Sequence, residues 1–478
     1  MQKKQELETM TKKLAPLSLA MVAMLAGCSM IPAYERPAAP VPTNYTAASV
    51  QTGAPLPSWR NYFSEPRLQQ LIELALDHNR DLRIASLNVE QARAQFQVRR
   101  AAQYPAVGLA ANASRAPASG SGDLTNSFSV GLAVTAWELD FFGRVASLKE
   151  QALAQYLASE EGRNAAQVSL ISAVANGWLT LLADEQLLEL SRQTLATREE
   201  SVRLTKLRLD SGAASELDYR QAESLTQAAR ATLAQQQRQR ALDENALALL
   251  LGQPLPEDIR ASLSRSDLRA APSMQAIPAG LPSDLLAQRP DIRQAEQQLV
   301  AANANIGAAR AACFPRIALT APAGTASGEL SGLFKNGSWG FTLAPSLLLP
   351  LFDAGANQAN LDSAQVGRKL AVAQYEKSIQ TAFREVSDAL ASQSTLTEQL
   401  DAQTKQAEAE AIRLNLADLR YKNGVASYLD LLDAQRSLFS TQQGVVQVRL
   451  GQLQNQVTLF KALGGGWDAQ TAPTTKAH

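Results

Sequence analysis

The chain has 478 residues, with 45 basic and 45 acidic side chains, and only 5% of its residues are aromatic. A net charge of zero gives no support to nucleic-acid binding or to a polybasic membrane contact. So few aromatic residues are unusual for a conventional globular core of this size. Ala, Gln and Leu dominate instead, which is typical of long, closely packed helices.

The N-terminus has the organisation of a secretory signal peptide. Lysines precede an apolar run over 14–25, which is too short for a permanent transmembrane helix. The run ends in Leu25-Ala26-Gly27-Cys28, which resembles the lipobox of bacterial lipoproteins and implies cleavage before Cys28 and a covalent lipid such as palmitate on that cysteine. We therefore predict a signal peptide over 1–27 and an acylated, proline-rich tether over 28–66.

The second half of the chain repeats the first. Asp81-Leu82-Arg83 returns 210 residues later as Asp291-Ile292-Arg293, and Gly212-Ala213-Ala214-Ser215 returns 212 residues later as Gly424-Val425-Ala426-Ser427. A nearly constant offset indicates two copies of one supersecondary unit. The predicted parts are a first repeat over 67–253, an equatorial linker over 254–281, a second repeat over 282–463 and a tail over 464–478.

Four segments alternate between apolar and small or polar residues, as outer-membrane strands do. Two lie within about 106–138 and two within about 316–350, and Pro322 and Pro345 are expected at bulges or strand ends. The apolar positions are Val107, Leu109 and Ala111; Phe128, Val130, Leu132, Val134 and Ala136; Ile317, Leu319 and Ala321; and Trp339, Phe341 and Leu343. Four strands cannot close a barrel, so we expect an oligomer that shares one barrel. An ordinary half-buried sheet alternates in the same way and stays open as an alternative.

The remaining long segments are predicted to be helical. Their approximate ranges are 67–103, 145–210, 216–251, 282–313, 355–421 and 428–463. The helix over 145–210 would reach about 100 Å. It carries one apolar seam with a seven-residue period. Asp184-Glu185 and Arg198-Glu199 stand where a second apolar stripe would lie and keep the seam narrow, which suits helices packed side by side in a wall with one wet face. No stretch after the signal is predicted to cross a membrane as a helix.

The residues offer no catalytic or metal-binding constellation. The two histidines, His78 and His478, have no ligand partners at useful spacing, and no phosphate-binding glycine loop is present. Cys313 is the only cysteine besides Cys28, which leaves no intramolecular disulfide once Cys28 is acylated. We predict that the chain is not an enzyme and needs no cofactor apart from the lipid.

Several motifs, in their order along the chain, resemble signatures of the outer-membrane efflux proteins of the TolC superfamily. They are Trp137-Glu138-Leu139-Asp140-Phe141-Phe142-Gly143-Arg144, Ala279-Gly280-Leu281-Pro282-Ser283-Asp284-Leu285-Leu286, Arg289-Pro290-Asp291-Ile292 and Leu431-Leu432-Asp433-Ala434-Gln435-Arg436-Ser437-Leu438. The resemblance covers Trp59 to Trp467 and is greatest to the lipoprotein (NodT) branch typified by OprM. It implies a mixed, mainly α fold: a homotrimer whose chains give four strands each to a twelve-stranded transmembrane β-barrel, continued by a long periplasmic α-helical barrel with a small mixed equatorial region.

The resemblance also implies a function and its partners. The chain would be the outer-membrane channel of a tripartite RND-type multidrug efflux pump, and would passively conduct drugs and other small molecules from the periplasm to the exterior. Its partners would be two further copies of itself, a periplasmic adaptor (membrane fusion) protein and the inner-membrane RND pump. A type I secretion duct for proteins or polymers, and a structural coiled-coil lipoprotein, are the alternatives.

Two groups of site residues follow from the resemblance. The tips that contact the adaptor would include Arg208, Gly212, Arg420, Tyr421 and Gly424. A periplasmic gate would be formed by Leu429, Asp433 and Arg436, which lie on one helix face at spacings of four and three. Three copies of the carboxylate would form a ring in the channel mouth. The plainer interpretations are helix-reversal loops for the tips and a solvated surface ion pair for the charged gate residues.

Overall fold

The computed structural model describes residues 29–42, 57–117, 124–263, 268, 274 and 288–465. The predicted signal peptide, Cys28, most of the predicted equatorial linker and the C-terminal tail from 466 lie outside the described residues.

The described chain is mainly helical, with one sheet. The helices are α1 (Trp59–Tyr62), α2 (Pro66–His78), α3 (Arg80–Ala101), α4 (Arg144–Asp210), α5 (Glu216–Leu251), α6 (Glu257–Leu263), α7 (Pro290–Ala311), α8 (Ala356–Lys422) and α9 (Tyr428–Ala462). The strands are β1 (Val107–Pro117), β2 (Leu124–Leu139), β3 (Arg316–Ser327), β4 (Trp339–Phe341) and β5 (Ala344–Leu348).

The chain divides into two compact units. The sheet unit comprises Leu87–Glu161 and Arg293–Lys377 together with the described residues up to Ala39. The helical unit comprises Gly162–Ile292, Ser378–His478 and Pro40–Ser86.

The sheet is antiparallel, with β2 and β3 at its centre. Leu109 pairs with Leu132, which pairs with Ala323, which pairs with Phe341. Directly paired residues share a face, so this register gathers the alternating apolar positions on one side of the sheet, where Leu109 and Phe341 are largely exposed. The opposite side is lined by small and polar residues such as Gly131 around a concavity of about 320 Å³.

Two irregularities interrupt the ladders. The register between β2 and β3 shifts by one residue between Val134 and Trp137, and Ala136 within this bulge has a φ of +49°. The fourth predicted strand is split into β4 and β5, although both pair with β3 in the same register. The gap lies opposite Pro322, whose carbonyl accepts a hydrogen bond from Thr342 N (3.0 Å) but which has no N–H to return.

Both edges of the sheet are open within the described residues. The strand β1 pairs only with β2, and β4 and β5 pair only with β3. Unpaired N–H and C=O groups along an edge are a template for another strand, so this sheet has two places at which a further chain can pair.

The core of the helical unit is aromatic and aliphatic. Tyr62 stacks on Phe460 with ring centroids 4.1 Å apart, and both residues are buried. Trp178 is also buried and its Nε1 donates a hydrogen bond to Glu65 (2.9 Å). Burial raises the pKa of the Glu65 carboxyl despite that bond.

Where the sequence predicts one helix over about 67–103, the structure has two. Asn79 separates α2 from α3 with an extended backbone, and its Oδ1 accepts a hydrogen bond from Leu82 N (2.9 Å), which caps α3. Its Nδ2 donates to Leu250 O (2.9 Å) at the end of α5. The break is therefore fixed by a contact with a distant helix.

Helix α4 differs from expectation in two ways. By length and composition it is apolar enough to cross a membrane, but 61% of the apolar window is buried inside the structure, as in a core helix. Asp184, Glu185 and Arg198, which were expected only to border a narrow apolar seam, are themselves buried. Glu185 and Arg198 are tolerated because they have polar partners: Arg240 Nε donates to Glu185 (2.6 Å), and Arg198 donates to Gln435.

Candidate functional site: the helix-reversal tips and the exposed face of α9

The two long helices end in reversals of the same geometry. Gly212 and Gly424 follow α4 and α8 with φ values of +74° and +75°, which a residue with a side chain rarely adopts. The residue after each glycine donates its N–H to a carbonyl five residues earlier, that of Arg208 (2.7 Å) or Arg420 (3.0 Å). This is the Schellman arrangement that satisfies the last carbonyls of a helix.

Each returning helix begins with a capping box. Ser215 Oγ accepts from Asp218 N (3.1 Å), and Ser427 Oγ accepts from Asp430 N (3.2 Å). The aspartates accept in return from the serine N–H groups (3.1 and 3.0 Å). Hydrogen bonds from the Ser427 hydroxyl (2.8 Å) and from the Ser427 N–H lower the pKa of Asp430. Both reversals are thus short and closely defined by their own hydrogen bonds.

Side chains join the two reversals to each other. Arg208 Nη1 donates a hydrogen bond to the Tyr421 hydroxyl (2.6 Å), and its guanidinium carbon lies 4.9 Å from the centre of that ring. Of the five predicted tip residues, these two are in contact. Arg420 instead lies near its own loop, with Nη2 3.5 Å from Val425 O. Arg208, Gly212, Arg420 and Gly424 are all exposed.

Helix α9 has two distinct faces beside its tip. Tyr428, Leu431 and Leu432 are buried and form a cluster with Ala222 of α5. The three predicted gate residues, Leu429, Asp433 and Arg436, share the other face and are exposed, with 58% of Leu429 accessible.

The carboxylate of Asp433 has a partner that the sequence did not indicate. It accepts a hydrogen bond from Arg413 Nη2 of α8, and Arg413 Nη1 also donates to Glu410 (3.1 Å). These carboxylates raise the pKa of Arg413, the bond from Asp433 more than that from Glu410. Arg436, which the sequence offered as the partner of Asp433 in a surface ion pair, forms no ion pair with any described residue. Because α8 and α9 fold back on each other about Gly424, positions 413 and 433 come together. Predicting this ion pair would have required the register between the two helices of the hairpin.

A buried arginine lies behind this face and was also missed. Arg198 of α4 is 5% exposed, and its Nη1 donates to the side-chain oxygen of Gln435. Burial lowers its pKa, and the neighbouring charge of Arg436 lowers it further. The carbonyl of Arg198 accepts from Thr226 Oγ1 (3.2 Å), so this residue links α4 to α5 as well as to α9.

The motif Arg289-Pro290-Asp291 closes a different part of the helical unit. The Arg289 guanidinium donates to Asp291 (2.7 Å), to Glu385 (2.9 Å) and to Ala462 O (2.6 Å), the last residue of α9. The Arg289 side chain is 6% exposed. One side chain thus ties the start of α7 to α8 and to the end of α9.

Residues that follow the predicted lipidation position lie along α7. Cys28 itself is outside the described residues, but residues 29–36, here called the N-terminal strap, are described. The Met30 carbonyl lies 3.4 Å from Arg310 Nη1, Pro32 O accepts from Asn303 Nδ2 (2.8 Å), and Arg36 pairs with Glu296 (2.5 Å). The strap therefore runs from the end of α7 that precedes β3 toward its other end.

No group of three or more His, Cys, Asp or Glu side chains in the described part of the chain is placed to hold a metal ion. The site consists of exposed reversals, an amphipathic helix face and ion pairs between helices. Exposed reversals and an exposed helix face of this kind can serve as contact surfaces.

Comparison with known proteins gives one family. The family model described as outer membrane efflux protein matches residues 71–253 and 281–465. The probable efflux pump outer membrane protein TtgC of Pseudomonas putida is 46% identical over 476 residues, 97% of each chain, and outer membrane protein OprJ of Pseudomonas aeruginosa is 44% identical over 472 residues, 96% of this chain and 97% of its own.

Solved structures of outer membrane channels have the same fold as this chain. The open state of the MtrE outer membrane channel of Neisseria gonorrhoeae is 41% identical and superposes with a TM-score of 0.83, covering 92% of this chain and 98% of that one. Such a channel is a transport conduit and not an enzyme. The matched segments, the relatives and the fold together identify the chain as a member of the outer membrane efflux protein family.

Proposed function

We propose that this channel is the outer-membrane component of a tripartite RND-type multidrug efflux pump and that it passively conducts drugs and other small molecules from the periplasm to the exterior. The observation that carries the proposal is the combination of an open-edged sheet with an exposed apolar face and long helical hairpins with exposed tips. The substrate class is supported by relatives named for antibiotic and toluene efflux pumps in Pseudomonas putida.

The proposed assembly is a homotrimer. In a membrane the open edges of the sheet must be paired, because no water is available to hydrogen-bond them. Three sheets joined edge to edge would form a barrel of twelve strands, with the apolar face toward lipid and the glycine-lined concave face toward the lumen. The helices would continue it as a periplasmic barrel. Heat-modifiable migration on a denaturing gel tests this, and a monomer in both lanes would contradict it.

We infer that Cys28 is acylated and that the lipid anchors the chain in the outer membrane. The strap supports this, because it puts Met30 next to the end of α7 that leads into β3, where a lipid would be close to the sheet. Mass spectrometry of the N-terminal peptide should detect the lipid on wild-type protein and none on Cys28→Ser. An unmodified wild-type N-terminus would exclude the anchor.

The proposed adaptor contacts are the two tips around Gly212 and Gly424. Their support is exposure and the equal geometry of the two reversals, which would offer an adaptor two similar docking points per chain. Arg208→Glu and Arg420→Glu should each weaken cross-linking to the periplasmic adaptor. Arg230→Glu is the matched control, because Arg230 is exposed on α5 and pairs with Glu199 (2.8 Å) away from the tips. Equal losses in all three variants would refute the assignment.

The proposed gate is the exposed face of α9, with Leu429, Asp433 and Arg436 from three chains around the axis. A ring of carboxylates behind an apolar collar restricts an aqueous mouth and favours cations. The double variant Asp433→Ala/Arg436→Ala should raise single-channel conductance in planar bilayers. Glu199→Ala/Arg230→Ala removes a comparable pair of charges and should leave conductance unchanged. The gate assignment fails if the two double variants behave alike.

The pump function is tested by drug susceptibility of a deletion strain. Loss of the channel should sensitise cells to several unrelated drugs, and wild-type protein should restore resistance. Unchanged susceptibility together with loss of a secreted protein or polymer from the medium would instead establish the export-duct alternative.

A further inference from the structure

A polar cavity of about 610 Å³ lies in the helical unit, and none of its lining residues belongs to the tips, the gate face or the strap. It is formed where α1, α2 and the first turns of α3 face α4. Its charged lining residues are Arg60, Glu73, Asp77, Arg83 and Arg163.

The charges in this cavity are only partly paired. Arg60 Nη2 pairs with Glu73 (3.0 Å). Arg83 and Arg163 form no ion pair with any described residue; Arg163 Nη2 donates only to the neutral side chain of Asn164 (2.9 Å). Asp77 likewise has no cationic partner in the described part of the chain. Two guanidinium groups and one carboxylate therefore remain available in one cavity.

The local backbone adds to this preference for an anion. Asn79, Leu82 and Arg83 line the cavity at the first turn of α3, a helix of 22 residues. The N–H groups of Leu82 and Arg83 are already bonded to Asn79, so the backbone contribution there is the positive end of the helix dipole, which favours a negative group. Guanidinium groups bind carboxylates through paired hydrogen bonds, which are stronger than those between neutral groups.

We propose that this cavity binds a zwitterionic ligand of the amino-acid or short-peptide class, with its carboxylates on Arg83 and Arg163 and its ammonium group on Asp77. Inorganic phosphate would use the arginines but would be repelled by Asp77. A free cation would meet an excess of positive charge. Only a ligand that carries both signs matches all three unpaired groups, and the proposal does not depend on the pump function.

The test is binding of glycylglutamate, which has two carboxylates and one ammonium group, to the detergent-solubilised full-length protein, measured by saturation-transfer NMR and calorimetry. Arg83→Gln and Arg163→Gln should each weaken binding about tenfold, the loss expected for one charge-assisted contact. Asp77→Asn should weaken the dipeptide but not its N-acetyl derivative. Arg230→Gln, which removes an exposed arginine elsewhere, is the matched control and should bind as wild type does.

Several outcomes would overturn the proposal. The site is absent if the wild-type protein does not bind the dipeptide at millimolar concentration, or if Arg230→Gln weakens binding as much as the cavity variants do. The zwitterion assignment is wrong if wild-type protein binds the N-acetyl derivative or inorganic phosphate as tightly as the dipeptide. Because Asp77 and Arg83 are exposed, their variants are expected to fold, and trimer migration checks this.

Discussion

Two glycines face each other where the backbones of β2 and β3 lie close together. Gly131 of β2 pairs with Gly324 of β3. A Cβ on Gly131 would lie 2.4 Å from Ala323 O, and a Cβ on Gly324 would lie 2.3 Å from Val130 O. An ordinary contact is about 1 Å longer. The obstacle is backbone that is already fixed in a ladder, so no side-chain rotation can relieve it.

Gly131→Ala is therefore expected to behave as an overpacked core variant, near the upper end of the range of about 1–3 kcal/mol per chain. A trimer would carry that cost three times. We expect a lower urea midpoint for unfolding in micelles and less heat-modifiable oligomer on gels. Either measurement needs only purified protein.

Gly108→Ala is the matched control for this prediction. Gly108 lies on the same side of the sheet in β1, where it pairs with Ala133, but a Cβ there meets nothing within 4 Å. The Gly108→Ala variant should therefore have the same urea midpoint of unfolding as the wild-type protein, within experimental error. If both alanine variants are equally stable, the close pairing of β2 with β3 is wrong as described.

Three further outcomes are expected. Arg289→Met removes hydrogen bonds to two carboxylates and a carbonyl and should cost about 3 kcal/mol of unfolding free energy, measured by urea titration. At Gly307 a Cβ would lie 2.6 Å from Ile31 Cγ1, so Gly307→Leu should displace the strap and speed hydrogen exchange over 29–36, with unchanged exchange as the contrary result. Burial and the Asp243 carboxylate raise the pKa of Asp184 to about 7, so the contribution of this residue to stability should fall as pH rises from about 4 to about 7, because its ionisation is less favourable in the folded protein than in the unfolded chain. Asp184→Asn should flatten that part of the pH profile in thermal unfolding, and an identical profile would remove Asp184 as its cause.

Local signals predicted the helix ends best. The sequence placed a helix over 216–251, and the structure has α5 at Glu216–Leu251. A serine cap at its start and Gly252, with a φ of +70°, at its end are both local features, so a single stretch of sequence determines them. The break at Asn79 was not predicted, because one of the two hydrogen bonds of its side chain goes to the carbonyl of Leu250, which is distant in sequence.

The burial and the partners of charged residues were the features of the structure that the sequence predicted least well. A charged residue in a helix is expected to face solvent unless a buried partner for it is known. The partners of Glu185 and Arg198 lie on other helices, so the local sequence did not indicate them. The three predicted gate residues do share an exposed face, because spacings of four and three determine a helix face without tertiary information. The ion pair of Asp433 with Arg413 required the register between two helices.

That ion pair bears on how the proposed gate would open. The two repeats have the same reversals, but only the second has charged residues on the proposed gate face, where the first has Leu217, Gln221 and Ser224. Arg413 links α8 to Asp433 of α9, so these two helices would move as one hairpin during opening. A half-exposed pair is weak by itself. The hinge would then lie at the contacts of this hairpin with α4 and α5, where Arg198 is held between Gln435 and Thr226, rather than at the reversal around Gly424.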